Sequence, residues 1–416
     1  MPLSDHCHDW KYVTTPVNLK REWPISDRDA RFIAESRAAI GRILHGDDDR
    51  LLVIVGPCSI HDPVAALDYA ARLSALRRAV GRDLEIVMRT YFEKPRTSLG
   101  WKGLINDPHL DESHDIDAGL RMARKLLVDV TAHALPVAME FLGIIDQHYF
   151  ADCVSWGAIG ARTTESQLHR EMASGLPCPI GFKNGTDGDI GIAIDAIRAA
   201  RHPHHFLGVN EEGRVIARMT RGNPGGHLVL RGSKIPNYDA RSVTTACDEL
   251  ASHTMSPRVV IDVSHGNSGK MHENQISVGA SLAARIAVGD THIAGVMIES
   301  NLIAGRQIPS TGRALTYGQS ITDACIGWDD TVKVVECLAD AVRTRRRMVD
   351  AAAAGHRVTP NQSGATPIAI TPDKRTAAPA LDLSGRYSAD PLTQVLLAPT
   401  GDGAYLNQPA DHADHQ

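Results

Sequence analysis

An α/β fold is the class this sequence predicts: a (β/α)8 TIM barrel with an N-terminal arm and helix, an extra β-hairpin and a disordered C-terminal tail. Three observations predict it. Short apolar runs recur from residue 51 onward with helical stretches between them, the runs are nearly continuous, and several end in a cation. Parallel strands covered by helices read as continuous apolar runs, whereas half-solvated antiparallel strands alternate. The competing architecture is a doubly wound sheet, but its Gly-x-Gly-x-x-Gly fingerprint after a first strand is absent, as is a P-loop.

Taken in order, residues 1–25 read as irregular. Ser26, with Asp29 three residues on, forms a capping box opening a helix whose apolar side carries Ile33, Ile40 and Leu44. Strand-like runs follow at 51–55, 84–88, 136–141, 157–161, 179–182, 205–209, 227–230, 259–263 and 294–298, one too many for eight strands. The surplus is resolved at 205–219, where Phe206-Leu207-Gly208-Val209 and Val215-Ile216-Ala217 flank Asn210-Glu211-Glu212-Gly213, the composition of a hairpin turn. That hairpin is placed outside the barrel. After Asp330 a last helix runs to Arg343-Thr344-Arg345-Arg346-Arg347, whose cations favour its carboxyl-terminal dipole. From 353 the chain is rich in Pro, Ala, Thr, Asp and Gly and poor in large apolar residues, so burial there cannot offset ordering entropy. The expected division is therefore 1–50 arm and helix, 51–352 catalytic barrel with its hairpin, and 353–416 disordered tail.

Composition removes several function classes. The 416 residues are 43% hydrophobic, enough for one large domain, and 44 basic against 49 acidic residues give a net charge of -5 with no basic block. Neither nucleic acid nor an anionic membrane is expected as partner. No apolar run reaches the roughly 18 residues that span a bilayer, and the first ten residues lack a signal-peptide core, so the expected location is cytoplasmic. Seven scattered cysteines with no Cys-x-x-Cys argue against a disulfide framework and a zinc ribbon.

The strand ends carry the chemistry. Arg89, Lys94 and Arg96 follow the second run, Arg162 the fourth, Lys183 the fifth and Arg231 the next barrel run. Cations aimed at one barrel mouth imply an anionic ligand with more than one charged group, since structural pairing would need as many buried acids there. The stretch Glu93-Lys94-Pro95-Arg96-Thr97 adds a rigid proline, suited to gripping a phosphorylated molecule. Cys58, His265, Glu299 and Asp323 also lie just beyond strand ends. One thiolate, one imidazole and two carboxylates suit Mn, Fe, Co or Zn dications better than Mg or Ca. A thiolate ligand of low pKa that solvent can reach would make the protein sensitive to oxidants.

Six segments resemble the class I 3-deoxy-D-arabino-heptulosonate 7-phosphate (DAHP) synthases: Gly56-Pro57-Cys58-Ser59-Ile60-His61-Asp62, the Lys-Pro-Arg-Thr run at 94–97, Gly160-Ala161-Arg162-Thr163-Thr164-Glu165-Ser166, Gly181-Phe182-Lys183-Asn184-Gly185-Thr186-Asp187-Gly188, Ser264-His265-Gly266-Asn267-Ser268 and Ser320-Ile321-Thr322-Asp323-Ala324-Cys325-Ile326-Gly327-Trp328. The likeness covers roughly residues 10–350. It implies a metal-dependent condensation of phosphoenolpyruvate with erythrose 4-phosphate, a homodimer or homotetramer, and metal ligands at Cys58, His265, Glu299 and Asp323. Phosphoenolpyruvate would meet Arg89, Lys94, Arg162, Lys183 and Arg231, and the aldehyde's phosphate would meet Arg96 and Thr97. Lys94 is the candidate proton donor. Another phosphoenolpyruvate-dependent sugar-acid phosphate synthase and a catalytically silent effector-binding barrel are the alternatives. Feedback-inhibited members of the family bind an aromatic amino acid near 140–148, 172–178 and the hairpin. This chain has Gly143 where that pattern has aspartate, Asp146-Gln147 in place of Thr-Pro, and Pro177 where serine is common, departures that imply weak or absent feedback inhibition.

Overall fold

The protein is described by a computed structural model that covers residues 10–96, 99–309 and 314–355. The expected tail lies almost wholly outside those residues, and so does Thr97. Eight parallel strands close into a barrel: β1 (Leu51–Gly56), β2 (Leu84–Arg89), β3 (Val137–Glu140), β4 (Trp156–Ile159), β5 (Ile180–Lys183), β8 (Gly226–Leu230), β9 (Val259–Asp262) and β10 (Ile293–Glu299), with β1 seated between β2 and β10. The antiparallel pair β6 (His205–Val209) and β7 (Val215–Met219) forms a separate hairpin, as its turn composition predicts. A short parallel pair, β11 (Ile303–Arg306) and β12 (Gln319–Ser320), follows the last barrel strand.

Helices α3 (Pro63–Val80), α4 (Ile116–Ala132), α5 (Gln147–Phe150), α6 (Gln167–Ala173), α7 (Gly191–Arg201), α8 (Ala240–Ser252), α9 (Asn274–Ala287) and α10 (Trp328–Gly355) connect or follow the strands. Their starts are written in the sequence. Asp62 accepts from the amides of Val64 and Ala65 ahead of Pro63, and Asp115 and Asp239 cap α4 and α8 in the same way. None of the described helices is long and apolar enough to cross a membrane.

The amino-terminal segment, read as irregular through residue 25, instead contains a short helix that Pro16 opens. After α1 (Pro16–Glu22), the Ser26 hydroxyl accepts from the Asp29 amide and starts α2 (Asp27–His45), as the capping box predicts. Ile40, Ile43 and Leu44 of α2 join Leu52, Ile54, Val87, Ala138, Trp156, Val229 and Val260 in the cluster that fills the barrel. Ser256, in the loop that enters β9, donates to the Leu44 carbonyl at 3.0 Å, which sets the end of α2 at the amino-terminal end of the strands. Each of these three side chains contributes roughly 1.5–3 kcal/mol by burial. With one end plugged, the opposite end is left for chemistry.

Candidate active site

Strand alternation decides what faces the mouth. Val87, Ala138, Val229, Val260 and Met297 belong to the inner cluster, so the residues two further along, Arg89, Glu140, Arg231, Asp262 and Glu299, share their face. The same count from Gly181 brings Lys183 inward, where its ammonium lies 2.8 Å from Asp262 Oδ2. Arg89, wholly buried, reaches Glu299 Oε1 at 3.2 Å and stacks 3.9 Å from the Tyr91 ring centroid. Those partners sit on β2 and β10 with β1 between them, and Gly56 is the β1 residue in register with Glu299. A Cβ at Gly56, whose φ is +153°, would stand 3.0 Å from the Arg89 carbonyl oxygen and 3.2 Å from its Cβ. The missing side chain therefore lets the backbone at the end of β1 pack closely on that of Arg89. Two of the predicted cations are thus paired with buried acids, a pairing the sequence reading did not supply.

The proposed metal donors come together in part. One ligand atom each from Cys58, Glu299 and Asp323 lies within 4.8 Å of the others. Cys58 Sγ is 3.3 Å from Asp323 Oδ2, and a bond of 2.7 Å between the Ser59 and Thr322 hydroxyls ties their two loops. Gln275 clamps Glu299 by its backbone, accepting from its amide at 2.9 Å and donating to its carbonyl at 3.0 Å. Ser264 donates to Glu299 Oε2 at 2.9 Å. His265 stands outside that trio. Its Nε2 lies 3.9 Å from Glu299 Oε1, while its Nδ1 stands 2.9 Å from Asp262 Oδ2, a close charge contact out of line for a hydrogen bond, so this buried nitrogen has no hydrogen-bond partner. A sulfur and two carboxylates, with an imidazole one short step away, fit a first-row transition dication.

The electrostatics follow from this packing. Burial, with Glu299 beside it, pushes the Cys58 thiol up to about 12, against the pull of Lys94 3.0 Å away. This corrects the expectation of a sulfur that solvent can reach: Cys58 is buried. Burial alone would lower Lys94, but Cys58, Glu299 and Asp323 more than reverse it, so its ammonium is held well protonated. Burial raises Asp323, yet Lys94 and His265 outweigh it and hold its carboxyl at about 2. Glu299 and Asp262 are likewise held below the ordinary carboxylate range, Glu299 by His265, Arg89 and Lys94 and Asp262 by His265 and Lys183, against burial in both cases.

The remaining predicted residues form the rim. Arg162 is exposed and donates to the Pro95 carbonyl at 3.1 Å, so it braces the loop that carries Lys94. Arg96 is also exposed and donates from Nε to the Trp101 carbonyl at 2.9 Å. Arg231 is half-buried, its amide held by Asn184 Oδ1 at 2.8 Å. Sequence reasoning missed Asp262 and Glu140. Both are buried at strand ends, and Glu140 Oε1 occupies space so tight that a Cβ on Gly160 would lie 2.2 Å from it. Counting by twos along their runs finds both, because each lies two residues beyond an inward apolar side chain.

Comparison with known proteins agrees with this geometry. Residues 17–336 match the model of the DAHP synthetase I family. The chain is 55% identical over 336 residues to the Phe-sensitive phospho-2-dehydro-3-deoxyheptonate aldolase of Escherichia coli K12, covering 81% of this chain and 96% of the relative. It is 54% identical over 333 residues to the Trp-sensitive enzyme of Enterobacter agglomerans, covering 80% and 96%. The phospho-2-dehydro-3-deoxyheptonate aldolase of Francisella tularensis SCHU S4 superposes with a TM-score of 0.80 at 48% identity, over 82% of this chain and 99% of that one.

Proposed function

The chain belongs to the DAHP synthetase I family, and from that membership we propose how its own residues carry the reaction. It condenses phosphoenolpyruvate with D-erythrose 4-phosphate and water to give 3-deoxy-D-arabino-heptulosonate 7-phosphate and inorganic phosphate, the first step of the shikimate pathway. One observation supports the assignment of roles: the open end of the barrel gathers Cys58, Glu299 and Asp323 within 4.8 Å, with Lys94 bonded to the sulfur.

Arg89, Lys94, Lys183 and Arg231 bind the carboxylate and phosphate of phosphoenolpyruvate, with Arg162 closing from the rim, because guanidinium forks match both oxyanions. Arg96, with Thr97, takes the aldehyde's phosphate. Cys58, His265, Glu299 and Asp323 would hold a Mn, Fe, Co or Zn dication, which supplies a Lewis acid for the aldehyde oxygen. As C3 of phosphoenolpyruvate bonds to the aldehyde carbon, Lys94 delivers a proton to that oxygen from its protonated ammonium. Water adds at C2 and phosphate leaves from the same carbon. Phosphate release on mixing both substrates with Mn2+ tests the reading, and its absence with every one of the four metals would refute it.

We also propose that aromatic amino acids regulate this enzyme weakly or not at all. A cavity of about 220 Å3 lies between Ile144, Ile145, Met172 and the hairpin residues Phe206 and Val215. Its charged or polar lining is Gln147, His148 and Arg218, with no carboxylate to receive an ammonium. A side chain restored at 143 would require the Asp146 carboxylate, 2.2 Å from a Cβ placed there, to turn aside. An amino group left unpaired there costs about 1–3 kcal/mol. Phenylalanine, tyrosine and tryptophan should each leave the condensation rate nearly unchanged, and sub-millimolar inhibition by any one would overturn this. The homo-oligomer, assembled through the N-terminal arm, and the cytoplasmic location belong to the same proposal.

A further inference from the structure

Asp262 takes no part in the roles above, yet it is the most enclosed acid of the site, with no exposed surface. Its Oδ1 accepts from the Ser264 amide at 3.0 Å, which fixes the carboxylate plane. Its Oδ2 faces two groups at once, the Lys183 ammonium at 2.8 Å and His265 Nδ1 at 2.9 Å. Lys183 approaches from β5 and His265 from the loop after β9.

We propose that Asp262 is a positioning residue that couples metal binding to phosphoenolpyruvate binding, because one carboxylate oxygen is shared by a substrate cation and by the imidazole of the metal site. The inference rests on the assignment of Lys183 to substrate and of His265 to metal.

The coupling has a definite sign. A buried carboxylate must be compensated, and Lys183 and His265 share that task. When the anionic substrate draws the Lys183 ammonium away, the Asp262 charge falls on His265. A carboxylate beside Nδ1 orients the ring and leaves Nε2 as the atom free to meet a metal. Conversely, an imidazole engaged at Nε2 turns a more positive Nδ1 side toward Asp262 and compensates its charge better, which frees Lys183 for the substrate. The two ligands therefore assist each other, and by linkage the factor is the same in both directions.

Calorimetric titration of Co2+ into metal-stripped protein, without substrate, separates this from simple support of the fold. Asp262→Asn should bind Co2+ about 10 to 100-fold more weakly, the range for losing a carboxylate behind a ligand imidazole. Lys183→Met should bind it at least about fivefold more tightly, since Asp262 then serves His265 alone. Arg231→Met removes a cation of the same group that does not touch Asp262, and should change Co2+ affinity less than about twofold, too little for a coupled site. In the wild type, phosphoenolpyruvate followed by tryptophan fluorescence should bind more tightly with Co2+ present, and Asp262→Asn should abolish most of that gain. Equal tightening in Lys183→Met and Arg231→Met would mean a general field effect and overturn the proposal. So would unchanged Co2+ affinity in Asp262→Asn, or weaker binding in Lys183→Met. If Asp262→Asn fails to fold by circular dichroism, the comparison of the two cation variants decides alone. Absence of a thiolate-to-Co2+ absorption band in the wild type would instead refute the metal site itself, and the proposal with it.

Discussion

Replacing Arg89 by methionine tests the electrostatic reading most directly. The guanidinium has no exposed surface and lies 3.2 Å from Glu299 Oε1. At an effective dielectric of 20, two unit charges at that separation attract by about 5 kcal/mol. Lys94 and His265 remain near Glu299 and take up part of its charge, so we expect a net loss of about 3 kcal/mol in metal-stripped protein, the low end for breaking a buried pair. The loss should depend on pH. Glu299 is held below its unfolded value, so its pairing contributes stability that is full above the unfolded carboxyl pKa, about 4.3, and fades as pH falls through the lower folded value. Urea unfolding of wild type and Arg89→Met at pH 7.5 and near pH 3.5 measures both effects. The gap should be large at the first pH and clearly smaller at the second. A gap below about 1 kcal/mol at pH 7.5, no more than an exposed pair contributes, would refute the reasoning, as would one of the same size at both pH values.

Cys58→Ala and His265→Ala should each abolish condensation while circular dichroism shows that the fold persists, because each removes a metal donor; full turnover after exhaustive chelation would contradict this. Arg96→Ala should raise the Michaelis constant for erythrose 4-phosphate, whereas Arg162→Ala should weaken phosphoenolpyruvate and, through the lost bond to Pro95, disturb the aldehyde site as well. An Arg162→Ala effect confined to one substrate would show that the rim contact does not hold the loop. In metal-stripped protein at pH 8, Cys58 should resist iodoacetamide while the exposed Cys337 reacts, since a thiol pushed up to about 12 and wholly buried offers no thiolate. Mass spectrometry of the alkylated peptides measures this, and rapid labelling of Cys58 would overturn it.

How far the sequence alone determines this protein depends on the range of the physics involved. Many local rules were legible: the Ser26 cap, the Asn210–Gly213 turn and the continuous apolar runs specify their own elements, because caps, turns and strand faces are settled within a few residues, whereas the short helix at 16–22 and the β11/β12 pair were missed. The residue types at the strand ends also announced an anion site and a mixed metal set. What only the tertiary structure decided is who faces whom. Arg89 and Glu299 meet across β1 because the barrel closes with β1 between their strands and Gly56 lets β1 pack closely on the Arg89 backbone. Lys183 reaches Asp262 from β5 across β8, a meeting that no spacing along the chain encodes, whereas His265 lies only three residues beyond Asp262. The same closure buries Cys58 and, without a metal, pushes its thiol up, since a residue's solvation is a property of the assembled barrel rather than of its neighbours in sequence.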